Sequence, residues 1–110
     1  MIWSGSEKKI ARRAFDAAAD AALTTVMAEF KKKTAAVATP SDMWDVEDFL
    51  RQRRRELDEL LDYRYSQLLF VFARLVHEGY LDEAQLTGLS EEKLEAIRRS
   101  LAFFADRRAE

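Results

Sequence analysis

The chain holds few side chains that could do covalent or metal chemistry. It has one histidine, His77, and no cysteine, which excludes thiolate catalysis, disulfides and cysteine metal sites. His77 falls in the last turn before Gly79, where the helix dipole favours a cation, so its reading is structural, not catalytic. The carboxylate pairs Glu47–Asp48 and Asp58–Glu59 are sequence neighbours that diverge on a helix, and they make poor acid/base partners. No glycine-rich phosphate loop, HExxH or Gly-x-Ser-x-Gly element occurs. The residues argue against an enzyme, and no metal or cofactor is expected.

What chemistry there is points to recognition, and it is concentrated in residues 42–61, DMWDVEDFL-RQRRR-ELDELL. At helical spacing Met43, Val46, Leu50, Leu57 and Leu61 form one apolar stripe, with Trp44 and Phe49 on its flanks. Arg54 fills the gap between Leu50 and Leu57, and an arginine in an apolar seam is costly unless a carboxylate meets it. Asp48 lies six residues away, about 240° around the same helix. Partners within one helix lie at i+3 or i+4, so Asp48 cannot easily serve its own Arg54. A second, antiparallel copy of the helix can. The stretch therefore reads as a homodimer seam with a charge lock.

Trp44, among Asp42, Asp45, Glu47 and Asp48, has the surroundings of an interface anchor; Tyr63 and Tyr65 are partly exposed candidates for the same role. Arg51–Arg55 also fits a small helical DNA-binding dimer, although acids on both sides oppose it.

These residues must be carried by helices. Three glycines and one proline among 110 residues, with alanine and charged helix formers dominant, imply an all-α chain. The length fits one domain, 1–110. A net charge of -2, from 18 basic and 20 acidic residues, opposes nucleic-acid binding by bulk positive charge. With no apolar run near 18 residues and no signal-peptide pattern, a cytoplasmic setting without membrane contact is expected.

Ser4–Glu7 fits a capping box before a helix from about Ser6 to Ala36, whose Ile10, Ala14, Ala18, Ala22, Val26 and Phe30 share a face. Thr39 with Pro40 starts a second helical segment, uninterrupted by glycine or proline up to Glu78. Unbroken, it would be about 57 Å long, against a radius of gyration of about 13 Å for a compact chain of this size. It must bend or break near Asp62–Ser66, or the molecule must be elongated, and both are expected in part. Leu68–Val76 reads as a core helix stopped by Gly79, then a short turn over Leu81–Gly88. Ser90 caps a last helix with Leu94, Ile97, Leu101 and Phe104 on one face. Phe70, Phe72, Phe103 and Phe104 are most simply core. The expected architecture is an elongated stalk of two long antiparallel helices (about 6–62), which dimerises, plus a small helical head (about 63–110).

The run DMWDVEDFL, then ELD after a basic stretch, then LLFVFARLVHEGYLDEAQLTGL, resembles the cyanobacterial fluorescence recovery protein family. The pattern is carried by W-x-x-x-D-F-L, F-V-F-A and the E-G turn, from Asp42 to Leu89. The resemblance implies all-helical, cofactor-free dimers that bind the photoactivated orange carotenoid protein, mainly through its C-terminal domain. They speed its return to the orange form, ending photoprotective quenching at the phycobilisome. By the same resemblance Trp44, Asp48 and Arg54 serve dimer and partner contacts, Met43 is a dimer residue, and Phe70 is a head residue touching the partner. Glu47 stands where the family has a histidine, and Ala96 where it has a basic residue. Those departures also fit a homologue that binds another protein, such as a stress or signalling regulator.

Overall fold

The computed structural model describes residues 2–109 and contains four α-helices. They are α1 (Gly5–Ala35), α2 (Pro40–Leu60), α3 (Leu68–His77) and α4 (Glu91–Ala109), with a 3-10 turn at Glu83–Leu86 between α3 and α4. The expected all-α class is what is found.

Both long helices start where local chemistry supplies partners for their first N–H groups. The Ser4 hydroxyl accepts the Glu7 N–H at 3.2 Å, and the Glu7 carboxylate accepts the Ser4 N–H at 3.1 Å. Thr39 and Asp42 form the same reciprocal box at α2, with Pro40 at the first helical position. Asp42 also accepts the Ala38 N–H, and these bonds, Ala38 first, hold its carboxyl below the usual range.

The uninterrupted helical segment breaks at Leu61, although neither glycine nor proline forces it. Tertiary packing decides the break. The Tyr63 ring meets Phe15 edge-on at 4.9 Å, and the Tyr65 ring lies 5.4 Å from Trp3. Arg64 turns back to Asp62 at 2.8 Å. The irregular link at 61–67 docks aromatics on the first half of α1, a gain that continued helix would forgo.

The core is one cluster in which Leu68, Phe72 and Leu75 of α3 meet Ile97 of α4, Leu86 and Leu89. Ala11, Ala14, Phe15 and Ala18 of α1 close it from the other side. Gly88 lets Ile10 of α1 approach closely: a Cβ there, where φ is +107°, would stand 2.5 Å from Ile10 Cδ1. Gly79, at φ 85°, ends α3 as expected.

Two of the phenylalanines expected in this core are not in it. Phe70 is 44% and Phe103 50% exposed. On α3 the inward arc is taken by Leu68, Val71, Phe72 and Leu75, and Phe70 lies opposite it. On α4 Phe103 lies off the arc of Lys93, Ile97 and Phe104.

Beyond Ala22 the two long helices continue as a hairpin. From Leu23 to Glu59 no residue is buried. The chain measures 53 × 34 × 21 Å with a radius of gyration of 16.7 Å, elongated as anticipated. We refer to the cored region as the head and to the hairpin as the stalk.

Candidate functional site

In the stalk, α2 has two working faces. The inner one is Val46, Phe49, Arg53, Glu56 and Leu60, spaced by three or four residues and at least half-buried. Arg53 donates to Glu29 of α1 at 3.0 Å and to Glu56 at 2.7 Å. Its guanidinium lies 5.5 Å from the Phe49 ring centre, which Lys33 of α1 approaches to 5.0 Å. The bond to Glu29, then that to Glu56, raises the Arg53 pKa. The expected stripe therefore divides: Val46 turns inward, while Met43 and Leu50 stay outside and Leu57 is half-buried. Arg53, read from sequence only as part of a basic run, is the polar clamp of the hairpin.

The outer face keeps the residues singled out for recognition. Trp44 is 57% and Met43 49% exposed. Asp48 and Arg54 are both exposed, and neither has an ion-pair partner among the described residues. Glu47 is engaged by Arg51, one turn on, at 3.0 Å. Along α2 the acids Asp42, Asp45, Glu47 and Asp48 precede the arginines Arg51, Arg53, Arg54 and Arg55, and Glu56, Asp58 and Glu59 follow them. On α1, Leu23 and Met27 are exposed four residues apart, a feature the sequence reading missed.

Phe70 belongs to a different place. It lines a head cleft of about 570 Å³ with Trp3, Tyr65, Ser66, Leu69, Ala96 and Ser100. Its ring lies 5.1 Å from that of Phe104, on which His77 stacks at 5.5 Å. Met43, Trp44, Glu47, Asp48, Leu50, Arg54 and Leu57 thus share one helix, and Phe70 stands apart from them.

Beside that cleft lies a buried ion pair that no spacing announced. The Lys93 ammonium, 4% exposed, donates to Glu7 at 3.2 Å and to the Ile2 carbonyl at 2.7 Å. Glu7 also accepts the Ser90 N–H at 2.9 Å, so one carboxylate ties the starts of α1 and α4 together. The Ser4 and Ser90 N–H groups, then Lys93, lower the Glu7 pKa to about 2. The available signal was a lysine on the otherwise apolar arc of α4.

Among the described residues no cluster of three or more His, Asp or Glu could hold a metal, and no helix is long and apolar enough to cross a membrane.

The chain is thus all-helical, with a cored head and a two-helix stalk that has no buried residue from Leu23 to Glu59. Residues 3–102 match the family model of the photoprotection regulator fluorescence recovery protein, and the chain belongs to that family. It is 32% identical over 96 residues to the fluorescence recovery protein of Synechocystis sp. (strain ATCC 27184 / PCC 6803 / Kazusa), covering 87% of this chain and 88% of that one. The solved fluorescence recovery protein of Fremyella diplosiphon superposes with a TM-score of 0.87 at 32% identity. The one from Synechocystis sp. PCC 6803 does so with 0.87 at 31%. Both structures cover 92% of this chain and 99% of their own.

Proposed function

We propose that this chain is a cytoplasmic, non-enzymatic regulator that acts as a homodimer on the photoactivated orange carotenoid protein. It speeds that protein's return to the orange form and so ends photoprotective quenching at the phycobilisome. The observation that carries the reading is the outer face of α2: Trp44, Met43 and Leu50 are exposed, and Asp48 and Arg54 have no ion-pair partner among the described residues. An antiparallel second copy brings Asp48 of one α2 to Arg54 of the other. It also covers Met43 and Leu50, which the hairpin leaves exposed, and the open side of the half-buried Leu57. Trp44 and Glu47, towards the rim, and Phe70 on the head contact the carotenoid protein.

Acceleration needs no covalent step. A binder that holds the compact form more tightly than the open form shifts the equilibrium by that difference in affinity, and one that holds the passage towards it more tightly lowers the barrier. The test is to mix the chain with photoactivated orange carotenoid protein and follow the red-to-orange recovery. A recovery rate unchanged at saturating concentration refutes the activity and leaves the fold untouched. Glu47 and Ala96 favour a second reading, the same dimer serving another protein partner. Carotenoid-protein recovery that is indifferent to the chain, together with a dimer in solution, would select it.

A further inference from the structure

We infer that the junction of stalk and head holds a binding site for a small apolar monocarboxylate, with the Arg74 guanidinium as its receptor. The cleft there, about 290 Å³, is walled by all three of the first helices. Val26 comes from α1, Leu57 and Leu60 from α2, and Arg74 from the last turn of α3. Its size lies at the lower end for ligand clefts, too small for a docked helix and suited to a small molecule.

Arg74 is the uncommitted cation of this cleft. It is half-buried, yet its guanidinium has no hydrogen bond or ion pair among the described residues. Glu78 stands one turn on and lines the same cleft, a spacing at which opposite charges commonly meet, but the two are unpaired. The other arginine there is already engaged. Arg53 bonds Glu29 at 3.0 Å and Glu56 at 2.7 Å, and its Nε is buried without a partner, out of an occupant's reach. Tyr80, half-buried on the same wall, adds a hydroxyl that also has no hydrogen bond among the described residues.

Chemistry selects the ligand. A planar guanidinium with its fork free is matched by one carboxylate held through two parallel bonds, and the Tyr80 hydroxyl can donate a third. Partial enclosure matters, because the same contact in open solvent is worth little. Leu60 is buried, and Val26 and Leu57 are half-buried, so an occupant's hydrocarbon covers apolar surface that the single chain leaves in contact with water. Glu56 and Glu78 line the cleft as well, and their charge disfavours a dianion such as phosphate against a monoacid. Since the walls belong to both stalk and head, an occupant fastens one to the other across the irregular link at 61–67.

The test titrates the full chain with hexanoate at constant ionic strength and follows the Val26, Leu57 and Leu60 methyl groups and the Tyr80 ring by NMR. The expected result is saturable shifts with a dissociation constant of about 1 mM. Hexanol, the same hydrocarbon without the charge, should bind at least about tenfold more weakly. Arg74→Gln should cost the same factor of about ten, and Arg74→Lys, which keeps the charge and loses the fork, should fall between. The inference is overturned if no shift appears by about 10 mM, where a millimolar site is filled. It is equally overturned if hexanol or phosphate moves the same resonances as strongly, or if Arg74→Gln binds unchanged. Every contact lies within one chain, so Met43→Glu, on the outer face of α2, should respond like the unsubstituted protein; a response confined to the dimer would also refute the site. No arm involves the carotenoid protein, so failure here and failure of its recovery are separate results.

Discussion

The head and the stalk are built from the same helix-forming alphabet, yet they solve burial differently. In the head, Phe72, Leu68, Leu75, Leu86 and Ile97 are fully enclosed by four elements. In the stalk, two helices alone cannot enclose anything, and the span from Leu23 to Glu59 has no buried residue. A hairpin of this kind is held by half-exposed contacts such as Arg53 with Glu29, worth about 1 kcal/mol or less each. The lesson is that the head's stability is internal, whereas the stalk's outer face stays open to solvent in the single chain.

The sharpest way to break that contrast is to truncate one large side chain in each region. Phe72→Ala, at the centre of the head, should cost about 3–5 kcal/mol in urea unfolding. Leu50→Ala on the outer stalk should cost about 1 kcal/mol or less when measured dilute enough to be monomeric. Equal losses would mean that the stalk has an internal core after all.

The next effect concerns association, not folding. Met43→Glu places a charge in the proposed seam, where a second copy would bury it unpaired. It should raise the dimer dissociation constant at least about tenfold, while far-ultraviolet dichroism keeps its helical signal. Elution in size-exclusion chromatography identical to the unsubstituted chain would place the seam on another face, with the exposed Leu23 and Met27 of α1 as the alternative.

How far these regions can be read in advance depends on whether the deciding interaction is local. Helix starts at Ser4 and Thr39, the stop at Gly79 and the all-α class follow from contacts within four residues, and each was legible. The direction of Val46 was not. It lies within one turn of both candidate stripes, and the choice is made by Glu29 and Lys33, which reach across from α1 to Arg53 and Phe49. Phe70 and Phe103 were misread for a related reason. An apolar run gives no sign of which arc faces inward until α1 and α4 have claimed theirs. Lys93 stands out on the apolar arc of α4, but its partner was not legible because Glu7 stands at the far end of the chain.

That buried pair and the stalk's clamp supply the finest comparison. Glu29→Gln should lower stability by only about 0.2–1 kcal/mol, since both it and Arg53 are about one-third exposed and water screens them. Glu7→Gln should cost visibly more, because it strips the carboxylate from a lysine that is almost wholly enclosed. Glu7 also responds to acid. Glu7 titrates at about 2 in the folded chain against an ordinary 4.5, so its contribution is complete above about 4.5 and fades as pH falls towards 2. Asp42 and Asp62, held low by the Ala38 N–H and by Arg64, move the same way and set the background slope. Melting temperature plotted against pH should therefore fall less steeply for Glu7→Gln than for the unsubstituted chain over that window. Parallel curves would show that the pair only fills space and that the head is not fastened through this charge.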